Sequence, residues 1–344
     1  MTGTTGATLA GRPRASGWPT RSAPDHGATT IAARQARAAE LGAALAGELS
    51  DPNAFAEALS SAFRELADPG YRAGQAFVAP GIGPTHGVRT PLQVALRRGF
   101  GRKTRGASNS ELLVVADRLL REPEREARWF AISTLQQTLG ADPERAWQLL
   151  RRAAADADDW ITVDTLAHPY GKGILAEPYR WAELEQLTVS PSRWERRLVG
   201  STIATIPFVN RRLGRERVVA ERGLALLAVL IGDREPDVQK ALSWAYRSMA
   251  LVDLPATTAA LAREAAEAAP HGTAGEGRGD GHRAWVVRDA LSKLEPADAA
   301  AIRERLAGIR RHPEAPSTSQ AAELAARFAD IGLGRPMPQP PLIR

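Results

Sequence analysis

Three segments of the chain, residues 158–164, 194–197 and 238–247, each bring a tryptophan together with ionic side chains. Each segment lies in a pattern of apolar residues at helical spacing. An aromatic ring beside ionic groups suits a ligand that is cationic or becomes cationic, because the face of the ring attracts positive charge. These segments are therefore the candidates for a binding or catalytic site.

In the first segment, a helix would place Trp160 and Asp164 on one face, and His168 as well if the helix continued that far. A carboxylate next to an indole could stabilise a positively charged sugar. The ordinary alternative is a core tryptophan beside a solvated or capping aspartate, and the spacing alone does not separate the two.

In the second segment, adjacent Arg196 and Arg197 would diverge by about 100° around a helix. One can therefore reach a phosphate while the other pairs with a carboxylate. In the third segment, Lys240, Trp244 and Arg247 would share one face. The alternative there is a tryptophan that fills a groove between helices, with a solvated lysine beside it.

The elements that must position these residues are predicted to be helices. Ser110-Glu111 and Asp142-Pro143-Glu144 are signatures of helix N-termini, whereas Asp68-Pro69-Gly70 is interpreted as a stop signal. No stretch alternates like a strand bounded by hairpin turns, so the fold class is predicted to be all-α. Repeated pairs of helices with short connectors favour an α-solenoid. The helices that the pattern predicts include 39–67, 143–155, 158–167, 181–189, 192–206, 216–231, 236–251, 255–269, 284–294, 297–310 and 319–331.

Composition excludes several classes of protein. The 344 residues contain no cysteine, which excludes disulfides, cysteine-ligated zinc, iron–sulfur clusters and thiol nucleophiles. The longest apolar run, residues 224–231, is far too short to span a bilayer, and no secretory signal is expected. We therefore expect no membrane association and a cytoplasmic location.

Positive charge is unevenly placed, although Lys+Arg exceed Asp+Glu only by 45 to 39. Residues 69–110 contain no acid, and a second basic cluster covers residues 193–217. Two such clusters can form a stripe that follows a phosphate backbone. The alternative is arginine enrichment on solvated faces. The cations of the first cluster are Arg72, Arg89, Arg97, Arg98, Arg102, Lys103 and Arg105.

The predicted domain boundaries follow composition. Residues 1–38 are predicted to be a disordered tail, residues 39–331 a single helical-repeat domain, and residues 332–344 a proline-rich tail. A glycine-rich stretch, residues 271–282, is predicted to be a flexible insertion whose two histidines do not form a metal site.

The three tryptophan segments, in this order, resemble motifs of the DNA alkylation-repair glycosylases built from HEAT-like repeats, the AlkD type. The family shows Trp-x-x-x-Asp, then Trp-x-Arg-Arg, then Val-Gln-Lys-Ala…Trp-x-x-Arg. Residues 86–91 also resemble its early Gly-Val-Arg-x-Pro stretch, so the likeness covers about residues 40–310. Ile161 and Ser248 depart from the pattern, since relatives often carry acids at these positions. We expect these departures to affect the range of substrates rather than the helical scaffold.

The resemblance implies a HEAT-like solenoid with a concave, basic DNA-binding face. It also implies that Asp164 acts at the reacting deoxyribose and that Trp160 and Trp244 wall the lesion-bearing nucleotide. The residues predicted to contact DNA are Arg197, Arg196, Lys240, Arg247, Arg89, Arg97, Arg98, Arg102 and Lys103.

The implied activity is that of a monofunctional DNA glycosylase in base excision repair, working as a monomer on duplex DNA with N3- or N7-alkylated purines. The resemblance also implies that this activity needs no metal and no cofactor. An alkylated purine leaves as a neutral base, so the enzyme need only stabilise an oxocarbenium-like sugar and position water. A family that grips the DNA backbone could also admit bulky adducts. The rival hypotheses are a non-catalytic repeat protein that binds DNA lesions and a protein-binding scaffold.

Overall fold

The all-α prediction is confirmed by a computed structural model, which describes residues 24–269, 279–311 and 318–330. Within these ranges the chain forms sixteen α-helices and no β-strand, and Ala67 and Val88 form an isolated bridge. The helices, numbered in chain order, are α1 (Pro24–Ala44), α2 (Pro52–Leu66), α3 (Pro69–Val78), α4 (Thr90–Lys103), α5 (Asn109–Leu119), α6 (Arg125–Thr138), α7 (Pro143–Ala155), α8 (Trp160–Ala176), α9 (Arg180–Gln186), α10 (Arg193–Val209), α11 (Arg217–Leu230), α12 (Pro236–Met249), α13 (Leu254–Glu267), α14 (Gly281–Ala290), α15 (Pro296–Arg305) and α16 (Gln320–Asp330).

The helices stack in two layers, as expected of a helical-repeat solenoid. The first layer consists of α1, α4, α6, α8, α10, α12 and α14, each packed on the next. The second layer consists of α2, α5, α7, α9, α11, α13 and α15, and α16 packs on α11. A continuous core runs between the layers from Ala38 to Ala321, because each pair of helices buries its apolar face on its neighbours.

Aspartates begin several of these helices by satisfying backbone N–H groups that lack partners within the helix. Asp51, Asp68, Asp159, Asp253 and Asp280 each accept hydrogen bonds from the first turn of the helix that follows. The interpretation of Asp68-Pro69-Gly70 as a stop signal was therefore wrong in one respect. Asp68 caps α3 and Pro69 is its first residue, so the motif ends one helix and starts another.

The first helix begins at Pro24, inside the segment that was predicted to be a disordered tail. Part of that segment is tied to the core, since Ala38 is fully buried. Glycines let α1 approach α4 closely. A Cβ on Gly42 would lie 1.9 Å from the Leu96 carbonyl oxygen, and one on Gly99 would lie 2.0 Å from that of Ala39.

Two first-layer helices are longer than the sequence pattern predicts, because each continues through a proline. α8 passes Pro169 and ends at Ala176, and α10 passes Pro207 and ends at Val209. A proline inside a helix removes one backbone hydrogen bond, but here both rings are buried against neighbouring helices. Tertiary packing therefore outweighs the local penalty.

Other predictions fall wholly or partly outside the described residues. These are the tail at residues 1–23, most of the insertion at 271–282, and the proline-rich tail at 332–344. The end of the predicted insertion is described: Asp280 caps α14, and His282 is buried in its first turn. In the described parts of the chain, no helix is long and apolar enough to cross a membrane.

Candidate active site

Asp164 lies on α8 and is held by two side chains of α10. Its Oδ1 accepts hydrogen bonds from Arg197 Nε at 3.2 Å, Arg197 Nη2 at 3.1 Å and Ser201 Oγ at 2.7 Å. Its Oδ2 accepts from Arg197 Nη2 at 2.9 Å. Because Arg197 and Ser201 are four residues apart, both reach the carboxylate from one face of α10. The carboxylate is fixed in position, and 23% of its side chain remains exposed.

Arg197 joins three successive helices of the first layer. Besides its paired contact with Asp164, its Nη1 donates to the Asp237 carbonyl oxygen at 2.7 Å, at the start of α12. Its guanidinium also lies 5.9 Å from the centroid of the Trp160 ring. The planar fork of arginine makes these contacts possible at once. The side chain is only 7% exposed, so Arg197 acts as a support for Asp164 rather than as a free surface cation.

Residues of α6 hold the start of α8 in place and thereby determine the positions of Trp160 and Asp164. Asp159 caps α8 through the Thr162 backbone N–H at 2.8 Å and also accepts from the Thr162 hydroxyl. Trp129 Nε1 donates to that hydroxyl at 2.9 Å, and Arg125 pairs with Asp158 at 2.7 Å. These contacts set both the position and the rotation of α8.

Trp160, Asp164 and His168 line one groove of about 330 Å³, as their spacing predicts. The opposite wall is supplied by Ser133 and Gln136 of α6. The surrounding protein partly desolvates the His168 ring, which lowers the pKa of His168 below its ordinary value. The imidazole is therefore neutral at pH 7 and able to accept a proton.

A second groove, of about 500 Å³, adjoins the first and shares Arg97, Trp160, Ile161 and Thr165 with it. Its other wall comes from α3, and its lining is mainly apolar. Ile161 belongs to this lining and adds to its apolar character. The volume is within the range of small-ligand sites, about 300–1,000 Å³.

Arg97 of α4 lies where the two grooves meet. Its Nη1 donates to Ser133 Oγ at 2.5 Å, and it forms no ion pair with any described carboxylate. Burial lowers the pKa of Arg97 from its ordinary value, but the guanidinium stays charged at pH 7. Since Asp164 is already paired with Arg197, Arg97 gives the groove an uncompensated positive charge, which suits an anionic ligand.

The third predicted segment lies on α12, two helices further along the first layer than α8. Trp244 is half-buried and Lys240 is exposed. Arg247 is half-buried and pairs with Asp289 of α14 at 2.5 Å. Ser243 Oγ donates to the same carboxylate at 2.6 Å. Asp289 is thus held by a serine and an arginine of a neighbouring helix, as Asp164 is.

The residues predicted to contact DNA fall into groups with different surroundings. Lys240, Arg98, Arg102 and Lys103 are exposed and form no ion pair within the described chain. Arg89 is exposed but pairs with Asp68 at 2.7 Å, an acid just outside the acid-free stretch.

The structure contradicts the prediction that Arg196 contacts DNA. Its side chain is 7% exposed, and its Nε donates to the buried Asp233 at 2.7 Å. Its Nη1 donates to the carbonyl oxygens of Ser190 and Pro191. The two adjacent arginines do diverge as predicted, but both pair with carboxylates, so neither is free to bind phosphate.

Sequence reasoning missed Ser201, Asp289 and Glu126. Ser201 is fully buried, and its signal was a polar residue four positions after Arg197 on an apolar helix. Glu126 is buried and accepts hydrogen bonds from the backbone N–H groups of His86, Gly87 and Val88, which fixes the loop that leads into α4. No local pattern marked Asp289 or Glu126, because their partners are distant in sequence.

These features define a helical-repeat protein with an arginine-held carboxylate in a cationic groove. Residues 59–294 match the family model of the DNA alkylation repair enzymes. The match covers more than half of the chain, and the protein therefore belongs to that family. It is similar to a solved structure described as a predicted DNA alkylation repair enzyme from Enterococcus faecalis, with 14% sequence identity and a TM-score of 0.46 over 67% of this chain and 97% of that one. The chain matches none of the curated proteins.

Proposed function

We propose that this protein is a DNA glycosylase that hydrolyses the N-glycosidic bond of N3- or N7-alkylated purines in duplex DNA. One observation carries the proposal: Asp164 is held as a carboxylate by Arg197 and Ser201 in a groove walled by Trp160. A fixed negative charge in a partly desolvated groove stabilises positive charge that develops during a reaction. The family to which the chain belongs repairs alkylated DNA, and this supports the assignment.

In the proposed reaction the C1′–N9 bond of an N7-alkylated guanine, or its counterpart in an N3-alkylated adenine, breaks with both electrons going to the base. The base leaves neutral because the alkyl group has already made it cationic. Asp164 stabilises the positive sugar and positions water. The rings of Trp160 on α8 and Trp244 on α12 are proposed to face the positive charge on the sugar. Each would contribute cation–π stabilisation of about 0.5–2 kcal/mol.

Arg97 is the proposed phosphate contact nearest to the reacting sugar. Arg97 is suited to this role because it borders both grooves and has no carboxylate partner among the described residues. Arg98, Arg102 and Lys103 would extend the contact along the backbone, and Lys240 would add a contact at α12, whereas Arg247 is already paired with Asp289. Arg197 serves Asp164 instead. We propose that the protein acts as a monomer in a reducing cytoplasm.

The apolar groove supports a substrate range that includes bulky adducts. It adjoins the groove of Asp164 and shares the Trp160 ring with it, so an alkyl or aryl group on the purine could enter it while the sugar stays at the carboxylate. Burial of such a group favours binding by about 25 cal/mol for each Å² removed from water.

The test is release of free base from duplex DNA that contains N7-methylguanine, under single-turnover conditions. The wild type is compared with Asp164→Asn, which keeps the shape of the side chain but removes its charge. Asp156→Asn is the matched control, because Asp156 is an exposed residue at the end of α7. We expect release by the wild type and the control, and a loss of about 10²-fold or more in Asp164→Asn with DNA binding retained.

Other outcomes identify the rivals. Full activity of Asp164→Asn would show that another group carries the reaction. No release by the wild type from either methylated or bulky-adduct DNA, with tight salt-sensitive binding, would indicate a lesion-binding protein. Absence of salt-dependent DNA binding would indicate a protein-binding scaffold.

A further inference from the structure

His168 lies one helical turn beyond Asp164 on α8, and both line the same groove. Residues four apart on a helix have Cβ atoms about 5–6 Å apart. One water molecule can therefore contact both side chains. The His168 ring is exposed to the groove and forms no hydrogen bond or ion pair within the described chain.

The carboxylate of Asp164 is largely occupied by its own supports. Oδ1 accepts three hydrogen bonds and Oδ2 accepts one. A carboxylate offers about four lone-pair sites, and those of Oδ1 are fully engaged. Asp164 is thus arranged to hold a fixed charge and to orient one water through Oδ2, whereas His168 has both ring nitrogens available.

We propose that His168 is the general base of this site, accepting the proton of the water that attacks the sugar. The inference rests on the proposed glycosylase function. The water oxygen bonds to C1′ as the bond from C1′ to the purine nitrogen breaks, and that bonding pair leaves with the base. The water proton passes to a ring nitrogen of His168, and the imidazolium then releases it to solvent. Asp164 keeps its charge throughout, which divides two tasks between two residues.

The surroundings of His168 favour its neutral form. Desolvation lowers the pKa of His168, and no described charge is close enough to reverse this. The charged groups that line the groove are Arg97 from α4 and Asp164 from α8. Arg197 from α10 and Lys172 from α8 do not line it but hydrogen-bond to Asp164 and to the Gln136 carbonyl oxygen. α6 presents the neutral Ser133 and Gln136, and α7 contacts the other side of α8 through Trp147 and Tyr170.

The test is the pH dependence of single-turnover base release from N7-methylguanine DNA. A lowered pKa keeps the imidazole neutral further into the acid range, so the wild-type rate should fall only below about pH 6.5. In His168→Gln we expect a rate about a hundredfold lower, with DNA affinity unchanged. The rate of this variant should no longer fall at acid pH. His86→Gln is the matched control, since the His86 ring packs on Phe63 outside the groove.

Three results for His168→Gln would overturn the inference. They are an unchanged rate, a lower rate that still falls at acid pH as in the wild type, and a loss of DNA affinity that accounts for the lower rate. A wild type that releases no base overturns the proposed function and the inference together. A second readout is independent of turnover, namely titration of the His168 ring by NMR. Replacing Asp164 by Asn should lower the pKa of His168 further, and no change would show that the two groups do not share a water.

Discussion

At the scale of single residues, the adjacent arginines of α10 show how one turn of a helix can serve two different purposes. Arg197 reaches the partly exposed Asp164 on α8, whereas Arg196 reaches the buried Asp233. The sequence predicted their divergence from the geometry of a helix. It did not predict their partners, because Asp164 lies on α8 and Asp233 in the connection between α11 and α12, and the pairings depend on how the helices stack.

Replacing Arg196 by Ala should lower the free energy of unfolding by about 3–5 kcal/mol, because Asp233 would remain buried without its counter-charge. Arg193→Ala is the matched control on the same helix turn. Arg193 is 48% exposed and pairs with Glu235 at 3.4 Å, so its loss should cost at most about 1 kcal/mol. Urea denaturation measures both. An Arg196→Ala protein of normal stability and reduced DNA affinity would restore the original prediction that Arg196 contacts DNA.

The same reasoning explains how much of the site the sequence could predict. Trp160, Asp164 and His168 were placed together correctly because the spacing of one helix decides it. Ser201 and Asp289 were missed because each acts across a contact between helices. The catalytic and DNA-binding roles themselves stay predictions until base release is measured.

At the scale of elements, most helices were predicted from apolar spacing, and most of the errors lie at their ends. Two do not: residues 39–67 contain the end of α1 and all of α2, and α3 was not predicted. The pattern ended one helix before Pro169 and another before Pro207, but packing carries both helices onward. It also assigned the start of α1 to a tail, because the alanines and glycines of that segment have little hydrophobic signal. The close approach of α1 to α4 depends instead on Gly42, which lies beyond that segment, and on Gly99 of α4.

Gly99→Ala should lower stability by about 1–3 kcal/mol, because the added Cβ would lie 2.0 Å from the Ala39 carbonyl oxygen and force α1 away from α4. Gly101→Ala on the same helix is the matched control. There the nearest atom to a Cβ is the Gln137 Oε1 at 3.6 Å, so helix propensity should leave stability equal or up to about 1 kcal/mol higher. Thermal unfolding compares them, and equal losses would contradict the close packing of α1.

Gly74→Leu should reduce release of bulky N7 adducts at least tenfold more than release of N7-methylguanine. Gly74 lines the apolar groove from α3, and its Cβ position meets no atom within 4 Å, so a leucine there occupies the groove without strain in the fold. Ala73→Leu on the same helix, at a position outside the groove lining, is the control. Parallel loss of both substrates in Gly74→Leu would show that the adduct does not enter this groove.

At the scale of the whole molecule, charge is divided between sites that are paired within the fold and sites that are open to a partner. Arg98, Arg102 and Lys103 at the end of α4 form no ion pair with described residues, whereas Arg145, Arg151 and Arg152 of α7 pair with Asp142, Glu183 and Asp117. The sequence identified the first group through its lack of nearby acids. The two-layer stack places the second group on the other layer.

Replacing Arg98, Arg102 and Lys103 together by Ala should reduce the slope of log affinity for duplex DNA against log salt concentration by about 2–3, since each phosphate contact contributes about 0.9. The triple replacement of Arg145, Arg151 and Arg152 by Ala removes the same charge and should leave the slope nearly unchanged. Fluorescence anisotropy over a range of salt concentrations measures the slopes. Equal slopes in the two variants would mean that net charge, and not this surface, determines binding.

The apolar groove has one wall, α3, that contains no buried residue. The opposite wall, with Trp129 and Trp160, belongs to the packed first layer. Substitutions in α3 can therefore accumulate with little effect on folding, while substitutions opposite it cannot. Descendants of this protein could acquire new lesion preferences through substitutions in the ten residues of α3, Pro69–Val78, without any change in the proposed catalytic residues. A library confined to that helix is the natural starting point for retargeting the enzyme.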